Sequence, residues 1–134
     1  MKEHIQNNRT RIMESMTKAG ILTATISYEG SGDSGFVEEV NLLPQPEFDA
    51  PSVEFTQERR GWIEGKATIE FSTHTESLEN ALTALTYQLL EELHPGWEIN
   101  EGSSGIVEID RTEDVVRVEH SQFYSSSTDY YYEL

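Results

Sequence analysis

The chain has 134 residues, a formal net charge of −16 and no cysteine. That length suits one domain with its own core, and the lack of thiols excludes disulfide frameworks, Cys-based zinc sites, thiol nucleophiles and iron–sulfur clusters. Residues 1–20 carry +2, whereas residues 21–134 set 23 acids against Arg59, Arg60, Lys66, Arg111 and Arg117, a body that repels nucleic-acid phosphates and anionic membranes and favours a basic partner.

Ile5, Ile12, Met13, Met16 and Ala19 recur at helical spacing, so residues 3–19 read as an amphipathic helix with Gly20 at its C-terminal cap. The segment is too polar for a secretory signal. No apolar run approaches the ~20 residues of a membrane span, and the expected location is the cytoplasm. In "ILTATISYE", Leu22, Ala24, Ile26 and Tyr28 alternate with Thr23, Thr25 and Ser27, the pattern of a half-buried strand. A glycine-rich stretch then leads into a second strand, "FVEEVNLL". Three prolines in "PQPEFDAP" mark an extended connection. "SVEFTQ" and "KATIEFST" alternate as two further strands, with "ERRGWIEG" expected as the turn between them.

The second helix, about Ser77 to Leu93, carries the clearest pattern: Leu78, Leu82, Leu85, Leu89 and Leu93 at helical spacing, widened by Ala81, Ala84 and Leu90. Thr75 or Ser77 can cap it, and "HPG" stops it. Glu91 and Glu92 stand at the end where the helix dipole disfavours acids, so helix stability does not account for them. "GIVEID" and "VVRVEH" follow, joined by the polar turn "RTED", and "YYYEL" can add an edge strand. This order predicts a single α+β domain over 1–134: a two-layer sandwich with an antiparallel sheet of about five to seven strands and two helices on one face. The leucine-rich helix is expected to be the central one.

Two stretches echo each other, "EGSGDSGFVEEV" at 29–40 and "NEGSSGIVEI" at 100–109. The tetrapeptide "GDSG" also surrounds the nucleophile of chymotrypsin-like proteases, but those are larger two-barrel enzymes that bring His and Asp from distant segments. A phosphate cradle needs glycine amides opening a helix, usually with a lysine; both loops open strands among acids. Glu29, Asp33, Glu38 and Glu101 are hard oxygen ligands, yet neither loop has the EF-hand order, so at most a weak divalent-ion site is expected near Glu29 and Asp33. His4, His74, His94 and His120 have no helical histidine partner, and His94 is expected to bond the last carbonyls of its helix. "GWIEG" and "GWEIN" hold the two tryptophans: Trp97 reads as a packed indole, and Trp62 equally as packing or as an interface residue. The tail 121–134 concentrates aromatics that a solvated tail would not need.

The segments "GDSGFVEEV" (32–40) and "ALTALTYQLLEELHPGWEINEGSSGIVEID" (81–110), with the end "HSQFYSSSTDYYYEL", resemble a family of small acidic bacterial proteins catalogued as a domain of unknown function. Residues from about Pro44 to Thr73 lie outside the resemblance. It implies a single intracellular domain of a kind carried by bacteria, plasmids and phages, and it implies no activity.

Three functional readings follow. The first is a non-catalytic interaction domain whose acidic face docks a basic protein surface, presenting Glu38, Glu39, Glu91, Glu92, Glu108, Glu113 and Asp114. Its extreme form is a nucleic-acid mimic that inhibits a DNA- or RNA-binding protein such as a nuclease of a defence system. The second is a structural subunit or adaptor docking through Trp62, Tyr130, Tyr131 and Tyr132. The third is an enzyme with a site of carboxylates and His94 or His120. The first is preferred because no triad, metal set or cofactor loop can be named. No cofactor, metal, nucleic acid or membrane is expected as a direct partner, and a second copy of the chain stays among the candidates.

Overall fold

A computed structural model of the chain describes residues 1–31, 34–95, 102–122 and 128–134. The first helix, α1 (Glu3–Ala19), ends where Gly20 turns to φ 74° and its N–H reaches back to Met16 and Thr17, the left-handed cap that glycine adopts without strain. Strands β1 (Thr23–Ser31), β2 (Ser34–Leu43), β3 (Val53–Ile63) and β4 (Lys66–Glu76) follow. Helix α2 (Leu78–Leu93) then precedes β5 (Ser103–Asp110), β6 (Val115–Gln122) and β7 (Thr128–Glu133). Ser77 caps α2, accepting a hydrogen bond from the Asn80 N–H.

Five strands form one antiparallel sheet in the order β2–β1–β5–β6–β7. Because strand side chains alternate, the register sets whole rows on one face. Ala24, Ile109 and Val116 make one such row, and Ile26, Val107, Val118 and Tyr132 the next. These rows are buried beneath Ile12 and Met16 of α1 and Leu82, Leu85 and Leu89 of α2. Each such aliphatic side chain contributes about 1.5–3 kcal/mol when taken fully out of water. The fold is thus α+β, with the leucine stripe of α2 buried in the core. Among the described residues no helix is long and apolar enough to cross a membrane.

The remaining pair, β3 and β4, forms a separate two-stranded sheet. Here the expected turn over "ERRGWIEG" is corrected: pairing continues through Trp62–Ala67 to Ile63–Lys66, and only Glu64 and Gly65 turn, at φ 51° and 77°. Two consecutive positive φ values make the two-residue hairpin turn that matches strand twist, so the arm is longer than alternation alone suggested. Its base is anchored in the core by Val53 and Phe55, at 2% and 1% exposure.

Buried Asn8 holds that base against the body. Its side-chain amide donates to Thr56 O at 2.7 Å and its Oδ1 accepts from Thr56 N at 2.8 Å, so one side chain imitates a neighbouring strand. Gln88 of α2 donates to the same carbonyl at 3.0 Å and accepts from Asn8 at 3.0 Å. Asn8→Ala should therefore cost about 2 kcal/mol, since it strands buried polar partners rather than deleting one bond. Urea unfolding of the variant measures this; a loss within ~0.5 kcal/mol would show that water replaces the amide there.

Candidate functional site

The face of the main sheet turned away from the helices is uncovered. Register assigns its rows directly. Glu39, Ser27, Ile106, Glu119 and Tyr131 cross all five strands, and Thr25, Glu108, Arg117 and Glu133 lie in the next row. On the other side Phe36, Glu29, Ser104, Ser121 and Asp129 complete the surface. Ile106, Tyr131 and Phe36 are exposed, Ile106 on the central strand and the other two on the edge strands, so apolar side chains stand interspersed with carboxylates.

A bulge arranges the acidic rim on β2. The β1–β2 register slips between Ser27 and Tyr28, where Ser27 faces Glu39 and Tyr28 faces Val37. Simple alternation would turn one of two successive glutamates toward the core. The extra residue lets Glu38 and Glu39 both stay exposed while Val37 and Val40 pack inward. Glu38 shares a hydrogen bond with Glu29, which together with partial burial and that like charge raises the Glu38 carboxyl above its ordinary range. Two carboxylates held this close favour a shared proton or an incoming cation.

One cation counters this charge. Arg117 bonds Glu108 at 2.8 Å and Asp110 at 3.1 Å, and also pairs with Glu113. Asp110 is held down at about 2, first by the Thr112 hydroxyl and then by Arg117. The same carboxylate accepts from the Thr112 and Glu113 amides and so closes the 111–114 turn. Asp114 pairs with Arg9 of α1. Glu29, Glu38, Glu39, Glu119, Asp129 and Glu133 have no such cation among the described residues.

The structure therefore divides the residues proposed from sequence. Glu38, Glu39, Glu108 and Tyr131 share the open face, with Glu113 beside it through Arg117. Glu91 and Glu92 instead border a cleft of about 750 Å³ between the start of α1, the end of α2 and β3, where Lys2, His4, Glu58, Arg60 and Tyr87 also stand. Lys2 approaches Glu58 at 3.2 Å and Glu92 at 3.7 Å, which offsets the unfavourable position of Glu92 on its helix. Trp62 lies at the tip of the β3–β4 arm and is 75% exposed. Tyr130 and Tyr132 stand on the opposite face of β7 from Tyr131, half-buried, Tyr132 packed onto the core and Tyr130 against His94 at 4.7 Å between rings. Reading alternation in β1, β6 and β7 would have found Glu29, Glu119, Asp129 and Glu133.

Beneath the sheet lies a buried polar row. Tyr28, Gly105, His120 and Tyr130 stand side by side across four strands. The Tyr28 hydroxyl and His120 Nδ1 are 2.7 Å apart, and the His120 ring stacks on His94 with centroids 4.1 Å apart. His94 thus points into the body; only its backbone N–H caps the helix, donating to Leu90 O. Burial lowers both histidines, His120 to about 4 with help from His94, and raises Tyr28. Both Nε2 atoms are buried without a hydrogen-bond partner among the described residues. Both rings are buried, His94 at 8% and His120 at 1% exposure. Among the described residues no three His, Asp or Glu converge on a metal position; Asp33 and Glu101, two of the four carboxylates considered for a divalent ion, lie outside those residues, as does Trp97.

A model of a family of unknown function matches residues 4–134 of the chain. No curated protein and no solved structure matches it.

Proposed function

The chain belongs to the Family of unknown function (DUF6878), and we propose that it is a non-catalytic interaction domain that docks a basic protein surface on its open sheet face. The observation that carries this reading is the arrangement of Glu29, Glu38, Glu39, Glu119, Asp129 and Glu133 around exposed Ile106 and Tyr131, with Arg117 already committed to three other carboxylates. Exposed aromatic and aliphatic side chains among unpaired charges offer both the apolar contact and the charge that a protein interface uses. The border contributes little affinity per exposed pair, about 0–1 kcal/mol, but it steers a basic partner and excludes acidic ones. A DNA- or RNA-binding protein, such as a nuclease held inhibited by a mimic of its substrate, is the most demanding form of such a partner. A cysteine-free acidic domain suits the cytoplasm, where such partners work.

The adaptor reading keeps support from one observation, the exposed Trp62. The two readings separate in one experiment. Partners are captured from host lysate with the wild type, with Glu39→Lys plus Glu119→Lys, and with Glu91→Lys plus Glu92→Lys. A basic partner should be retained at ~0.15 M salt and released by ~0.5 M. It should be lost with the first pair of reversals and kept with the second. Retention that ignores reversal of the sheet face sinks the proposal, and loss on Trp62→Ala alone moves the site to the arm.

A further inference from the structure

We propose that the outer edge of β4 pairs with the same strand of a second copy of the chain, antiparallel and centred on Phe71. The inference is independent of the acidic face. β3 and β4 pair over eleven residues each without a bulge. Toward its tip little covers the arm, where Trp62, Ile63 and Ile69 are 58–75% exposed; Phe71 at mid-strand is 59% exposed with its ring 5.2 Å from that of His4. A two-stranded ribbon is marginal in water by itself, and a long flat edge is a template for another strand. β4 has no proline and no bulge, and its charges are Lys66 and Glu76 at the two ends and Glu70 at mid-strand. The opposite edge of the arm is closed, at Thr56 by Asn8 and Gln88 and at Glu54 by Arg11.

That closure also determines which groups β4 presents. Thr56 turns its N–H and C=O to Asn8, away from β4, so Thr56 and Thr73 form a non-hydrogen-bonded pair. Thr73 then points its own groups outward, and a period of two extends this to Ala67, Ile69, Phe71 and Thr75. An antiparallel copy centred on Phe71 uses all of them: Phe71 meets Phe71, Ile69 meets Thr73, and Ala67 meets Thr75. Between these, Glu70 faces Ser72, Thr68 faces His74, and Lys66 faces Glu76 twice, once at each end. Centring on Glu70 would oppose that carboxylate to itself, and centring on Ser72 would leave Lys66 without an acid. Charge complementarity selects the Phe71 register. The product is a four-stranded β3–β4–β4–β3 sheet in which Trp62, Ile69 and Phe71 of both copies share one face.

The test is sedimentation velocity of the full chain between about 1 and about 100 μM. A dimer is expected that tightens with salt, since each copy carries −16. Lys66→Glu or Glu76→Lys should weaken it about tenfold, having replaced two attractive cross-strand pairs by repulsive ones. The double swap should restore it. As a second arm, the chain has no cysteine, so Phe71→Cys supplies a single thiol on the two-fold axis. Hydrogen-bonded partners stand ~5.5 Å apart there, within disulfide reach. Phe71→Cys should cross-link on mild oxidation, and Glu64→Cys in the turn should not. A monomer throughout, a dimer indifferent to the swaps, or single swaps that the double fails to rescue would each overturn the pairing; the second of these would assign the dimer to another surface.

Discussion

Gly105→Ala should destabilise the domain by about 3 kcal/mol, enough to remove a large part of the stability of a chain this size. A Cβ at this position would land on the Tyr28 hydroxyl and on the Glu119 carbonyl oxygen. The reason is the buried row. Tyr28 of β1 can reach His120 of β6 only by lying across β5, and Gly105 is the β5 residue between them. Alanine leaves two outcomes, both costly: the strands part locally, or Tyr28 swings away and leaves His120 unbonded beside the two Nε2 atoms that already lack partners. Tyr28→Phe, which removes only the hydroxyl, should cost about 1 kcal/mol. Urea midpoints for the two variants give the comparison. Gly105→Ala costing no more than Tyr28→Phe would show that β5 yields freely and that the row does not constrain the sheet.

Acidification should weaken the fold as pH falls from the ordinary histidine range toward 4. His120 is held at about 4 in the folded chain, against an ordinary value near 6.5 when unfolded. The unfolded chain therefore binds more protons between these values, and stability falls as pH drops through that window. His120 by itself contributes a loss of about 2 kcal/mol by pH 5 and about 3 by pH 4, with none added above pH 7. The groups facing it are Tyr28 from β1, His94 from the end of α2 and Tyr130 from β7. None can accept its charge, and a protonated His94 would oppose it. The carboxylates act elsewhere on the scale: Asp110, depressed to about 2, yields its stability only below the window. Glu38, raised beside Glu29, works in the opposite direction as the acidic face loses charge. Denaturant melts at pH 7, 6 and 5 isolate the histidine contribution, and His120→Phe should flatten the slope between them. An unchanged slope in that variant would mean that His120 takes up its proton as readily in the fold as in the unfolded chain.

Much of the architecture was legible in the chain because its signals are local. The leucine stripe and its Ser77 cap, the glycine after Ala19, and the alternation in β1, β5 and β6 each depend on neighbours within a few residues. Alternation gave β4 as a strand but not its surroundings. It reports which side chains share a face, not whether anything covers that face, and Ile69 and Phe71 share a face and stand exposed. The two glycine echoes read as separate turns. The sheet brings them together, with Gly30 opposite both Gly35 and Ser103. Gly105 in the second echo proves to be a crossing point for Tyr28 rather than a hinge.

By itself the sequence determined the helices, the strands, the absence of thiol chemistry and the acidic imbalance, since composition and short-range periodicity carry them. Only the tertiary structure decided where that charge acts. Pairing β1 with β5 across eighty residues gathers Glu29, Glu39, Glu119 and Asp129 on one open face, sends Tyr130 and Tyr132 inward, and parts both groups from Glu91 and Trp62. No local pattern encodes that sorting. It follows from which strand edges meet and in which register, a choice made by the whole core at once.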